Sequence, residues 1–155
     1  IKSSAASDVY KRQDYITSRI DVNNKCFLAP ENMTEAIKSY CNNNDLIIPD
    51  TAGEIAAVVY KSLADSYADT VMQIEKNLDI TYDAIYVIGG GANAGYLNQL
   101  TADSTGKTVV AGPAEATAIG NIMAQMIADS VFKNLKEARA CVRDSFDIKR
   151  FEQKR

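Results

Sequence analysis

Histidine is absent from the sequence. The commonest general base and the commonest metal ligand are therefore missing. A Ser-His-Asp or Cys-His site is excluded within these residues. Cysteine is scarce: Cys26, Cys41 and Cys141 are odd in number and widely spaced, and none forms a metal-type pair. That usage fits a reducing compartment, read as cytoplasmic. No apolar run approaches the roughly 20 residues of a membrane span, and no signal-peptide pattern is present. An excess of basic residues is also lacking. Lys plus Arg number 17 against 20 Asp plus Glu, a net charge of −3, which gives no electrostatic case for nucleic acid.

What is present is an ordinary globular balance. The chain has 155 residues, 46% hydrophobic and 24% charged, enough for one domain with a core. Residues 1–13 have no clear apolar period and read as a processing or assembly scar, outside the fold. From Asp14 onward the text is regular. Asp21 to Lys25 is turn-rich. A helix is expected over about 31–42, with Pro30 near its first turn and Met33, Ile37 and Tyr40 as its apolar stripe. Thr51 and Glu54 have capping-box spacing and open a long helix to about Leu78. Its stripe is Ile55, Val59, Leu63, Tyr67, Val71, Ile74 and Leu78. Tyr67 and Met72 read as core or edge packing, and Asp65 and Asp69 as a solvated face. Further helices are expected over about 94–104, 114–129 and 135–145. In the second of these Ile119, Ile122, Met123, Met126 and Ile127 face inward. The tail from Phe146 is mixed and charged.

The centre of the chain is Tyr86-Val87-Ile88-Gly89-Gly90-Gly91-Ala92-Asn93-Ala94-Gly95-Tyr96-Leu97. It reads as an interior parallel strand, a glycine turn and the start of a helix whose inner face carries Tyr96, Leu97, Leu100 and Ala102. A second short strand is expected at Lys107 to Val110. Three glycines at a strand's carboxyl end remove the side chains that would hold a ligand off the main chain. The helix behind them presents unpaired N–H groups and a partial positive charge. That combination favours an anion, most often phosphate.

Three nucleotide motifs compete for this region. Gly89 to Ala94 fits the dinucleotide pattern G-x-G-x-x-A. The acidic residue wanted at the end of the second strand is missing, and Glu115 arrives only inside the next helix. Ser104-Thr105-Gly106-Lys107-Thr108 imitates the end of a phosphate loop, but Thr101 replaces the first glycine. It also closes a helix and opens a strand, the reverse of what a phosphate loop does.

The third motif is longer. Gly89-Gly90-Gly91, then Leu97-Asn98-Gln99-Leu100 with Ala102-Asp103, then Gly112-Pro113-Ala114-Glu115-Ala116 with Gly120-Asn121, resembles the C-terminal signature of FGGY-type carbohydrate kinases. The wording, with Phe27-Leu28-Ala29-Pro30-Glu31-Asn32-Met33 upstream, is most similar to the rhamnulokinase branch. The resemblance covers about Asp14 to the end. It implies an α/β fold: a partial ribonuclease-H-like (actin-like ATPase) C-terminal domain with two short parallel strands and several helices. It implies ATP and magnesium as cofactors and a small ketose, L-rhamnulose, as substrate. In the family the glycine turn meets the nucleotide, here chiefly Gly90 with Gly89 and Gly91. Asn93 is the side-chain candidate, because Ala94 stands where many relatives carry Asn. Glu115 and Gly120 are expected to support helix packing on the nucleotide side.

The family's catalytic aspartate, sugar contacts and second phosphate-binding turn precede the matched region. No catalytic or metal-binding residue is therefore expected here, and the expected partner is a missing N-terminal domain of the same protein. Without it the chain should be marginally stable and without turnover. The rivals are another FGGY kinase (xylulose, fuculose or glycerol), a Rossmann-type fragment, and a helical interaction domain that docks partners through residues 50–78.

Overall fold

The computed structural model describes residues 16–154, and the leader expected over residues 1–13 lies outside them. The described chain is α/β and divides into two compact units, one ending at Asp79 and one beginning at Ile80.

In the first unit, residues 16–20 run extended with strand-like alternation. Ile16, Ser18 and Ile20 are buried, whereas Thr17 and Arg19 are exposed. Among the described residues no strand pairs with them. Side chains satisfy the backbone instead. Lys61 donates to the Ile16 carbonyl at 2.9 Å. The Ile20 N–H donates to Ser62 Oγ at 3.0 Å, and the Ser62 hydroxyl donates to the Val58 carbonyl at 2.6 Å. Helix α1 (Met33–Asn43) starts from Asn32, whose side chain accepts the Glu35 N–H at 3.2 Å. Pro30 thus precedes the cap and lies outside the first turn. The buried positions of α1 are Ile37 and Cys41, while Met33 is exposed.

Helix α2 (Ala52–Leu78) has the expected capping box at Thr51 and Glu54, and it ends on Asp79 in the left-handed region. Its buried face differs from the expected stripe. The buried residues are Glu54, Ala57, Val58, Ser62 and Ala64. Ile55 and Val59 only flank the core made by Ile16, Ile20, Ile37, Cys41 and Val58. Tyr67, Met72, Ile74 and Leu78 are exposed, and no residue from Asp65 onward is buried. The physical reason is length. The extended segment and α1 supply core partners for only the first half of a 27-residue helix. Asp65 pairs with Arg19 at 2.7 Å on the exposed surface.

The second unit holds a three-stranded sheet. Strand β1 (Ala84–Val87) pairs parallel with β2 (Thr108–Ala111), Ala84 opposite Thr108 and Val87 opposite Ala111. Helix α3 (Gly95–Thr105) makes the crossover and closes on Gly106 at φ 68°. Two strands were expected; a third, β3 (Lys149–Phe151), lies antiparallel on β2 within the charged tail. The sheet order β1-β2-β3 leaves β1 at an edge, where it was expected to be interior. Tyr86 is 73% exposed and Ile88 64%. The buried residues of α3 are Asn98, Thr101 and Ala102, and Tyr96, Leu97 and Leu100 are only half-buried. Helix α4 (Ala116–Ala128) packs on α5 (Leu135–Ser145). It has no buried residue, and Ile122 is exposed, so its expected inward face is only partly covered. No helix among the described residues is long and apolar enough to cross a membrane.

Candidate functional site at the glycine turn

Strands β1 and β2 deliver two loops to the same end of the parallel pair. That is where open α/β sheets bind ligands. The loop after β1 is the glycine stretch. It is no slack turn: Gly89–Asn93 form a 3-10 helical turn, and α3 starts only at Gly95. The loop after β2 is Gly112-Pro113-Ala114. The two are hydrogen-bonded to each other's neighbourhood. The Gly112 N–H donates to the Val87 carbonyl at 2.9 Å, and the Gly89 N–H donates to the Pro113 carbonyl at 3.3 Å.

The three glycines do different work. Gly89 takes φ 75°, a region that side chains disfavour. A Cβ on Gly91 would lie 3.3 Å from Val87 Cγ1, so Gly91 lets the turn lie close to β1. A Cβ on Gly90 would meet nothing within 4 Å, and Gly90 is exposed. Its missing side chain leaves bare main chain facing open space, as a cradle for a ligand requires. Asn93 is exposed beside it, and Ala92 is buried. The N-cap of α3 is Ala94, which supplies no side-chain hydrogen bond. Ala94 therefore caps none of the first N–H groups of α3 with its side chain, and the helix dipole adds its positive end. No Lys, Arg, Asp or Glu occurs between Gly89 and Leu97, so no charged side chain of this stretch contributes to holding an anion there.

Asn98 escaped the sequence reading as a separate residue. It is 3% exposed, and its amide nitrogen donates to the carbonyls of Gly91 at 3.2 Å and Ala92 at 3.3 Å. Gln99 and Asp103 explain more of the same motif. The Gln99 amide donates to Asp103 Oδ1 at 3.0 Å and to the Glu152 carbonyl at 2.8 Å, and the Lys154 N–H donates to Asp103 Oδ1 at 2.8 Å. They moor the tail to α3. The available signal was the spacing of Leu97-Asn98-Gln99-Leu100-x-Ala102-Asp103, which places Asn98 and Gln99 on different helical faces.

The remaining candidates separate cleanly. Lys107 donates to the Tyr82 carbonyl at 2.8 Å, and Gly106 is a helix C-cap, so the phosphate-loop imitation is structural. Glu115 is exposed and does not cap α4 with its side chain. A Cβ on Gly120 would meet nothing within 4 Å, so no close packing against the described residues requires that glycine. Among the described residues no group of three His, Cys, Asp or Glu could hold a metal ion. No step is assigned to magnesium from these side chains.

Comparison with known proteins shows the family of the sequence. The sequence profile of the FGGY family of carbohydrate kinases, C-terminal domain, matches residues 9–128. The rhamnulokinase of Oceanobacillus iheyensis is 48% identical over 131 residues, covering 84% of this chain and 28% of that protein. The rhamnulokinase of Bacillus subtilis is 46% identical over 144 residues, 93% of this chain and 30% of that protein. That of Halalkalibacterium halodurans is 46% identical over 134 residues, 86% and 29% respectively. The chain thus spans less than a third of the length of these relatives. It belongs to the FGGY family of carbohydrate kinases, within that family's C-terminal domain.

Proposed function

We propose that the chain is the C-terminal part of an ATP-dependent sugar kinase of the rhamnulokinase type. The reaction in this reading is transfer of the γ-phosphate of ATP to L-rhamnulose, giving L-rhamnulose 1-phosphate. The chain contributes the adenosine-side wall of the nucleotide site, on a partial ribonuclease-H-like (actin-like ATPase) domain. The observation that carries the reading is the open main chain at Gly90, at the carboxyl end of β1 and beside an uncapped helix start. The match of named rhamnulokinases over most of the chain supports the sugar class.

In this reading Gly89, Gly90 and Gly91 lie against the nucleotide through their backbone, and the exposed Asn93 is within its reach. The chain's own residues bind and orient ATP. Magnesium, where bound with the phosphates, would supply charge neutralisation; none of the described side chains of this chain is assigned to hold it. Phosphoryl transfer needs positioning and charge neutralisation from both sides. The family's catalytic aspartate, sugar contacts and other phosphate-binding turn lie in its N-terminal portion, which is the partner domain proposed here. The free thiols Cys26, Cys41 and Cys141 support a cytoplasmic setting.

The test is a titration of the labelled chain with ATP and, separately, with NAD. Backbone amide shifts at Gly89 to Gly91 should move with ATP and stay still with NAD. The reverse pattern would favour a dinucleotide enzyme, and no response to either would remove the nucleotide reading. A coupled ADP-release assay with L-rhamnulose should show no turnover by these 155 residues.

A further inference from the structure

A run of three glycines poses a physical problem. Bare main chain is what a nucleotide cradle requires, but glycine loses more conformational freedom on ordering than any other residue. Gly89, Gly90 and Gly91 have no side chains with which to hold themselves. The Gly89 N–H is held by Pro113 and the Gly112 N–H by Val87, which fixes the entry of the turn. Its exit, at Gly91 and Ala92, is held from the far side by Asn98.

We propose that Asn98 is a positioning residue for the nucleotide: its buried amide fixes the exit of the glycine turn against helix α3. This rests on the ATP reading above and deepens it. The amide nitrogen has two acceptors, Gly91 O at 3.2 Å and Ala92 O at 3.3 Å. The Gly91 carbonyl also accepts the Ala94 N–H at 3.0 Å, and the Ala94 carbonyl accepts the Asn98 N–H at 2.9 Å. Turn and helix start are therefore laced together by one residue, one turn into α3. A hydroxyl is too short to span both carbonyls, and a carboxylate offers acceptors where donors are needed. The open lip at Gly90 and the N–H groups at the start of α3 can then grip one ligand as a single surface. Without the tie they move separately.

The experiment compares the full chain with Asn98→Asp, Asn98→Ser and Thr101→Val. Thr101 is an equally buried neighbour, 3% exposed, whose hydroxyl bonds only its own helix, at Leu97 O. In nucleotide-free protein, amide signals of residues 89–93 should shift or broaden in both Asn98 variants and stay put in Thr101→Val. The Kd for ATP should rise about tenfold in the Asn98 variants, as expected for two lost hydrogen bonds, and by less than about twofold in the control. Equal weakening in all three variants would reduce Asn98 to a stability residue and overturn the proposal. So would unmoved turn signals, or loss of fold in both Asn98 variants with Thr101→Val still folded. If the unsubstituted chain fails to bind ATP, the ATP reading falls and the nucleotide role with it. The shift comparison then still decides whether Asn98 holds the turn.

Discussion

The N–H of Gly112 donates to the carbonyl of Val87 at 2.9 Å, tying the loop after β2 to the last residue of β1. Gly112 achieves this at φ 124°. A Cβ there would stand 3.0 Å from the Asp147 carbonyl oxygen and 3.6 Å from Ile148 Cα. Both neighbours are backbone and cannot swing aside. Gly112→Ala should therefore lower stability by about 2 kcal/mol, from strain at a conformation closed to side chains. Gly90 is the contrasting case, with open space where its Cβ would be. Gly90→Ala should change stability by no more than about 0.5 kcal/mol, yet weaken ATP binding. Urea denaturation of both variants, with ATP titration of the second, checks the pair. Equal stability losses would mean that the two glycines are kept for the same reason.

Helix α2 offers a second test. Thr51 Oγ1 accepts the Glu54 N–H at 3.2 Å, while the Glu54 carboxylate accepts the N–H groups of Asp50 at 2.6 Å and Thr51 at 3.2 Å. The first turn of a 27-residue helix hangs on this reciprocal cap. Thr51→Ala should cost about 1 kcal/mol, and amide exchange should speed up at residues 52–54 and little further along. Faster exchange spread along the whole helix would show that the cap controls more than the helix end.

That helix also shows what the sequence could and could not reveal. Its ends were legible because caps are local: Thr51 and Glu54 stand three apart, and Leu78 is the last apolar residue of its period. Its buried face was not. The large side chains Tyr67, Ile74 and Leu78 repeat at helical spacing, yet the unit buries Ala57, Val58, Ser62 and Ala64. Which stripe is covered depends on what else is available to cover it, and one extended segment and one short helix cover half of α2. Strand β3 was hidden for a related reason. Lys149-Arg150-Phe151 has no apolar alternation, and only the free edge of β2 makes it a strand. At the site, the glycine turn was plain, because glycine reports on backbone. The bonds of Asn98 were not, because a polar residue in a helix reads as solvated until its partners, seven and six positions away, are brought to it.

The tail provides a third prediction. Asp103 Oδ1 accepts both the Gln99 amide and the Lys154 N–H, and β3 closes the edge of β2, whose Val109 and Val110 are buried. The Phe151 ring also lies 3.8 Å from where a Cβ on Gly95 would sit, at the start of α3. Asp103→Ala should lower stability by about 1.5 kcal/mol, as expected for lost hydrogen bonds to a carboxylate, and deprotect the Lys154 amide. Removing residues 149–155 should do more. It bares a paired edge and its apolar residues, so light scattering should rise with protein concentration. A truncated chain that stays monomeric with an unchanged urea midpoint would show that the tail is an ornament of the fold.

The three thiols give the last test, because burial separates them. Cys26 and Cys141 are exposed, whereas Cys41 is fully buried in the core of the first unit beside Ile37 and Val58. Burial pushes the Cys41 thiol above its ordinary value, since the thiolate would lose its hydration. Native protein should therefore present two fast thiols to an aromatic disulfide reagent and a slow third, with all three fast in denaturant. The sign of the pH effect follows from linkage. A group whose folded pKa is raised stabilises the fold below its unfolded pKa, and that contribution fades as pH rises toward the folded value. The stability of the natural chain should then fall above about pH 8.5, where an unfolded thiol begins to ionise. Cys41→Ala loses a core contact but has no thiol to titrate. The stability gap between the two proteins should accordingly shrink between about pH 8 and pH 10. A gap that stays constant across this range would mean that the Cys41 thiolate is as well solvated in the folded chain as in the unfolded one, in conflict with its burial.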